Sequence, residues 1–376
     1  MGPLKGVRVI EVGGIGPGPF CAMMLSDMGA DIIRVERRGE PLLFEPKHNV
    51  LHRGRPSIGV DLKKSAGIEL LLRLVEKADA LQEGYRPGVM EKLGLGPEVC
   101  LKRNPRLVYG RMTGWGQEGP LSQAAGHDIN YIALTGALYS IGRPDQNPVP
   151  PLNLVGDFGG GGMLLAFGMA CALFETQRSG QGQVIDAAMV DGSAALMAMF
   201  YGQRSSGLWT DERASNFLDT GAHYYDTYET SDGKWISIGS IEPQFYALLL
   251  KYLDISDPEF QVQQDRTRWP ALKKKIAAIF KTKTREQWSD ILLGTDVCFG
   301  PVLSMGEALE HPHNVARKTF VTIEGVPQPA PAPRFSRTEP EIQGPSRVGE
   351  QDAENALLNW GISKSEIERL KASEVI

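Results

Sequence analysis

Five short, β-branched runs separated by helix-like segments constrain the fold of this chain more than any other feature. They read "VRVIEV", "ADIIRVE", "SIGVDLK", "DALQEGY" and "RLVYGRM", all within the first third of the sequence. Gly29 stops the helical "FCAMMLSDMG" between the first two. "SAGIELLLRLVEKA" puts Ile68, Leu71, Leu72 and Val75 on one face, with Ser65 as its expected N-cap. "RPGVMEKLG" supplies a helix between the fourth and fifth runs. Strands that alternate with helices must be joined by crossovers. The expected fold is therefore α/β, with a Rossmann-like, doubly wound parallel sheet.

The texture changes further on. "MLLAFGMACALFETQRS" is a long helical pattern ended by Gly180, "GQVIDAAM" is strand-like, and "DGSAALMAMFYGQRSSG" is helical. "YYDTYETSDGKWISIGS" alternates aromatic and polar residues around Ser231-Asp232-Gly233, the pattern of a hairpin. A chain of 376 residues exceeds what one core serves, so two domains are expected. The large domain is placed at 1–190 and completed by 335–376, with a linker helix at 191–221. A smaller α+β domain is placed at 222–318. The proline-rich "GVPQPAPAPRFSR" marks an extended connector, placed at 319–334.

Ligands of parallel sheets bind at the carboxyl ends of the strands. The first strand runs into "GGIGPGPF", and Glu36 follows about twenty residues later, which invites a dinucleotide reading. Pro19 occupies the third position of that fingerprint, where glycine would allow close helix–strand packing, and a nicotinamide cofactor is disfavoured. Arg37 and Arg38 follow the second strand, Lys63 and Lys64 the third, and Arg86 the fourth. Cations at three successive strand ends suit a polyphosphate-bearing ligand.

The net charge of −5 argues against a dedicated nucleic-acid binder. Cys21, Cys100, Cys171 and Cys298 lack zinc-site or redox spacing, and Cys171 is expected in the core. The N-terminus enters a strand at once, and the longest apolar run falls short of the ~20 residues of a membrane span. A soluble intracellular protein is expected, with no membrane span. The terminal "KASEVI" is not a peroxisomal signal of the SKL type. Cytoplasm is the expected compartment, with peroxisome or mitochondrion left open.

"AGHDINY" carries His127, and "PPLNLVGDFGGGG" sets Asp157 at the start of the long helix. The helix dipole favours an anion there. A plain N-cap is the simpler role for Asp157, but a cap does not require four following glycines. Each glycine costs ~1 kcal/mol of helix stability relative to alanine, so the run indicates that something approaches the backbone closely.

These stretches, with "EGYRPGV", "RMTGWGQEGP", "GQVIDAAMVDGS" and "GAHYYDTYET…IEPQFY", resemble the α-methylacyl-CoA racemases. These belong to the class III (formyl-CoA transferase-like) CoA-transferase superfamily. The resemblance runs in order from about residue 2 to about 336, and "GHDINY" with "LVGDFGGGG" is its most specific part. It implies that His127 and Asp157 are the catalytic bases, that Asn153 lies beside the thioester, and that Glu242 pairs with the histidine from the other subunit of an interlocked homodimer. It assigns CoA contacts to Ile15, Arg37, Val60, Asp61, Leu62, Lys63, Gly84, Tyr85, Arg86, Gly126, Asp128, Ile129, Asn130 and Tyr131. The segment Gly39–Val50 has no clear match.

The implied reaction interconverts R and S 2-methylacyl-CoA thioesters by proton transfer through an enolate. A base on each face of the α-carbon allows this without turning the intermediate. Backbone N–H groups at the start of the glycine-rich helix are candidate donors to the enolate oxygen. CoA enters as part of the thioester, and no metal or separate cofactor is expected. The alternatives are a class III CoA transferase with Asp157 as nucleophile and a non-catalytic acyl-CoA-binding protein.

Overall fold

The computed structural model describes residues 2–39, 45–346 and 350–376. In chain order the first elements are β1 (Arg8–Val12), α1 (Pro17–Asp27), β2 (Asp31–Arg37), β3 (Ser57–Val60) and α2 (Ser65–Val75). They are followed by β4 (Ala80–Glu83), α3 (Val89–Lys92), α4 (Pro97–Arg103), β5 (Val108–Thr113), α5 (Asp128–Leu134) and α6 (Ala137–Ser140). A π-helical segment, Leu154–Met163, runs into α7 (Leu164–Ser179), then β6 (Gln183–Ala188), α8 (Met189–Leu196) and α9 (Ala198–Ser205). Next come β7 (Tyr225–Glu229), β8 (Trp235–Gly239), α10 (Pro243–Tyr252), α11 (Trp269–Phe280), α12 (Arg285–Leu292) and β9 (Phe299–Val302). The chain ends with α13 (Met305–Glu310), α14 (Pro312–Arg317), β10 (Phe320–Ile323), β11 (Val326–Pro329), α15 (Glu350–Asn359) and α16 (Lys364–Ala372).

Two compact units result. One comprises residues 1–135, 151–197 and 318–376, and the other residues 136–150 and 198–317. The sequence places the small domain at 222–318. The second unit instead begins at 198, within the expected linker helix, and gathers the distant piece 136–150. The expected connector at 319–334 contains a hairpin, with β10 and β11 paired antiparallel from Phe320–Pro329 to Ile323–Val326.

The first unit is built on a six-stranded parallel sheet of order β3-β2-β1-β4-β5-β6. Its middle strands are apolar and β-branched because helices cover both faces. Ile10, Ile33, Val35, Ile58 and Leu81 pack on one side with α2 residues Leu70, Leu71 and Leu74 and with Leu357, Trp360 and Leu370 from the C-terminal helices. Val9, Ile32 and Val108 pack on the other side with Cys21 and Leu25 of α1 and Leu165 and Met169 of α7.

Several local expectations change. Lys64, not Ser65, occupies the N-cap of α2, and no side-chain cap bond forms there. Cys171 is exposed, whereas Cys21 and Cys100 are buried. The π-helical segment and α7 join into a 26-residue run whose most apolar 18-residue window has mean hydropathy 1.4, long and apolar enough to cross a bilayer. Nearly half of its most apolar window is buried, and Leu165, Ala166, Met169 and Leu173 belong to the core beneath the sheet.

In the second unit, β7 and β8 form the expected hairpin, and β9 extends it antiparallel. Its core gathers Tyr228, Ile236 and Ile238 from the strands with Leu249, Phe260, Trp269, Phe280 and Trp288.

Candidate active site

The strand order reverses between β1 and β4, and the carboxyl ends there open the crevice where such sheets take ligands. After β1 the chain turns through Gly13, Gly14, Ile15 and Gly16 before entering α1. Gly16 has a φ of 68°, and a Cβ on it would lie 3.3 Å from Asp157 Oδ2. Ile15 is thrust outward, 81% exposed. After β4 come Gly84, Tyr85 and Arg86. The buried Glu83 fixes this second loop, accepting from Tyr85 N–H (2.7 Å) through Oε2 and from Arg111 Nε (3.1 Å) through Oε1. Burial pushes the Glu83 carboxyl up to about 7, against the pull of these donors. Glu83 was not foreseen from sequence, since only its partners reveal what it does.

Asp157 stands in the first turn of the π-helical segment. Its Oδ2 accepts from Asn153 Nδ2 at 3.0 Å, and its own N–H donates to Asp128 Oδ1 at 2.7 Å. Burial, followed by the Asp128 charge, raises the Asp157 carboxyl above its ordinary range, while Asn153 and His127 pull it down. His127 is exposed at the N-cap of α5, its N–H donating to Asn130 Oδ1 at 3.0 Å. The structure thus brings His127, Asn153 and Asp157 into one neighbourhood.

Tyr131 is buried edge-on against Trp115, with ring centroids 4.8 Å apart, and its hydroxyl donates to the Gly126 carbonyl. Its phenol is raised mainly by burial, then by Asp157, and is lowered by Arg86. The β4 loop, α5 and the π-helical segment therefore converge on one spot. Ile129 and Asn130 are exposed on α5. The side chain of Asp128 faces inward: the residue is 5% exposed, and its carboxylate grips the Asp157 backbone.

The cations divide into two groups. Arg38 and Lys64 donate to main-chain carbonyls at Ser373 and Glu374, so they cap the end of α16. Arg37, Lys63 and Arg86 are exposed and form no ion pair with a described residue. Val60 pairs in register with Arg37 and is core, Leu62 packs against the same core, and Asp61 Oδ1 accepts from Lys63 N–H (3.0 Å). Glu242 lies in the second unit, exposed at the N-cap of α10, and its side chain makes no hydrogen bond or ion pair with a described residue. Residues 40–44 of the unmatched Gly39–Val50 segment lie outside the described residues.

The glycine run serves the protein itself. A Cβ on Gly160 would lie 2.6 Å from Ser193 N, one on Gly161 would lie 2.8 Å from Met189 Cγ, and one on Gly162 would lie 2.6 Å from the Pro17 carbonyl. Helices α8 and α1 approach its backbone. The candidate enolate donors are partly spent as well: Asp157 N–H is held by Asp128, and Phe158 N–H points to the Asn153 carbonyl at 3.3 Å. Among the described residues no group of three or more His, Cys, Asp or Glu side chains could hold a metal ion.

A parallel sheet of this order, with a histidine and a carboxylate beside its switch point, matches a known class. The chain belongs to CoA-transferase family III, whose model matches residues 4–351. Within that family it is 48% identical to alpha-methylacyl-CoA racemase from Mus musculus, over 99% of this chain and 97% of that protein. It is 44% identical to alpha-methylacyl-CoA racemase from Homo sapiens over the same shares. Among solved structures, a CAIB/BAIF family protein from Brucella suis superposes with a TM-score of 0.82 at 27% identity, covering 94% of this chain and 98% of that one.

Proposed function

We propose that this protein interconverts the R and S epimers of 2-methylacyl-CoA thioesters, with His127 and Asp157 as its two bases. The observation that carries the reading is the pairing of His127 with a partly desolvated Asp157 at the switch point, in a chain nearly half identical to named racemases.

One base removes the α-proton, and the bond's electron pair passes into the thioester carbonyl to give an enolate. The other base, protonated, returns a proton to the opposite face. Each group ends in the protonation state from which it catalyses the reverse reaction. An Asp157 carboxyl raised by burial is a stronger base than a solvated one. Asn153 orients its Oδ2, and Gly16 leaves that oxygen room that a Cβ, 3.3 Å away, would crowd. By analogy within the family, His127 serves the S epimer and Asp157 the R epimer.

The CoA portion would lie along the sheet edge, its phosphates on the uncommitted Arg37, Lys63 and Arg86. No separate cofactor is needed. A homodimer is part of the proposal. Met163, Phe167, Cys171 and Phe174 recur at helical spacing and are exposed, with Phe167 at 66% and Phe174 at 62%. A second copy would cover this stripe, and its Glu242 would pair with His127.

The test is proton NMR of an R-2-methylacyl-CoA with the enzyme in deuterated water. Loss of the α-proton signal together with appearance of the S epimer is expected. No exchange, with CoA passed instead to a free carboxylic acid, would overturn the racemase reading in favour of transfer.

A further inference from the structure

The carboxylate of Asp128 is not used by any step above, yet it is placed with unusual care. Asp128 is 5% exposed although it is the first residue of α5, directly after the exposed His127. Its Oδ1 accepts the Asp157 N–H at 2.7 Å. Its Oδ2 is buried and has no hydrogen-bond partner among the described residues. The opposing Gly156 is glycine because a Cβ there would lie 2.5 Å from Asp128 Oδ1. A buried carboxylate with half its acceptor capacity unused is costly to keep, and a neutral asparagine could accept the same N–H at less cost.

We infer that Asp128 is a positioning residue for the reaction: its carboxylate ties the α5 turn carrying His127 to the π-helical turn carrying Asp157, fixing the separation of the two bases and holding a negative charge behind the second. This inference rests on the proposed racemase reading. It also reassigns Asp128, which family resemblance had put among the CoA contacts, to a role behind the ligand.

The charged and titratable groups acting on Asp157 are Asp128 and His127, with Tyr131 and Arg86 beyond them. From the packed helices, Pro17 and Phe20 of α1 and Met189 and Ser193 of α8 meet the glycine run, and none of them ionises. Removing the Asp128 charge therefore removes one of the influences that raise the Asp157 carboxyl. Asp157 would remain ionised to lower pH.

The test compares Asp128→Asn and Asp128→Ala in the full-length enzyme. The asparagine keeps an oxygen for the Asp157 N–H and loses the charge. We expect its KM for a 2-methylacyl-CoA to stay within about twofold, and the acid limb of kcat for the R epimer to move to lower pH. The alanine frees the turn, and kcat falls about a hundredfold, as misplacement of a reacting group by ~1 Å does. A carbon-13 titration of the Asp157 carboxyl, which needs no turnover, should show the same downward movement in Asp128→Asn. An unmoved Asp157 titration, or a raised KM with unchanged kcat, would overturn the inference. Failure of wild-type enzyme to exchange the α-proton would sink the racemase reading instead, and leave the titration to decide the coupling.

Discussion

Gly160→Ala separates two accounts of the glycine run. In a helix interior, alanine in place of glycine gains about 1 kcal/mol. Against that gain, the new Cβ would stand 2.6 Å from Ser193 N, 2.8 Å from Ser193 Oγ and 2.9 Å from Gly192 C. Carbon contacts are optimal near ~3.5–4.0 Å, so the methyl intrudes by about 1 Å, and mostly into backbone that cannot rotate away. Overpacking of that kind costs about 1–3 kcal/mol, which makes a net loss the expected sign. The control is Gly18→Ala in α1, where nothing lies within 4 Å of the added Cβ and only the gain should appear. Urea unfolding should therefore rank Gly18→Ala at or above wild type and Gly160→Ala below it by up to about 2 kcal/mol. Because α8 must retreat from the helix that carries Asp157, kcat should also fall, by about tenfold or more. An unchanged unfolding midpoint with a raised KM would refute the packing argument and return the glycines to the ligand.

Acid should weaken the second unit through His223. Its Nε2 lies 2.7 Å from Tyr246 Oη, which itself donates to the Phe260 carbonyl, so Nε2 carries the proton and the buried Nδ1 is bare. Burial, then Lys273, depresses the imidazole from 6.5 to about 4. The unfolded chain therefore takes the proton first, and stability falls by about 3 kcal/mol as pH drops from 6.5 to 4. A stability difference between wild type and His223→Gln that stays flat over that range would exclude this. Thiol labelling tests the dimer: the exposed Cys171 should react only after dissociation, because the α7 stripe would be covered. Prompt labelling of Cys171 in native protein would remove the stripe from the interface. Burial pushes the Cys100 thiol up to about 12, so it should wait for unfolding.

The sheet was legible because its signal is local: each strand is a short apolar run, and crossover helices leave no other arrangement. His127 and Asp157 were legible as motifs, through their neighbours in sequence. What stayed hidden depends on partners far along the chain. Arg38 and Lys64 looked like ligand cations, but they cap α16 some three hundred residues later. The glycines correctly indicated a close approach, yet nothing in "GDFGGGG" says that Ser193, Met189 and Pro17 make it. The fragment 136–150 carries no mark assigning it to the second unit. Asp128 looked like one more polar residue of a ligand loop until its burial showed what it holds.

The two-base account is tested most directly by α-proton exchange of separate R and S thioesters in deuterated water, using His127→Ala and Asp157→Asn. Each variant should lose interconversion, and the two should differ in which epimer still exchanges: Asp157→Asn should retain exchange of the S epimer, and His127→Ala that of the R epimer. Both variants racemising at the wild-type rate would contradict it.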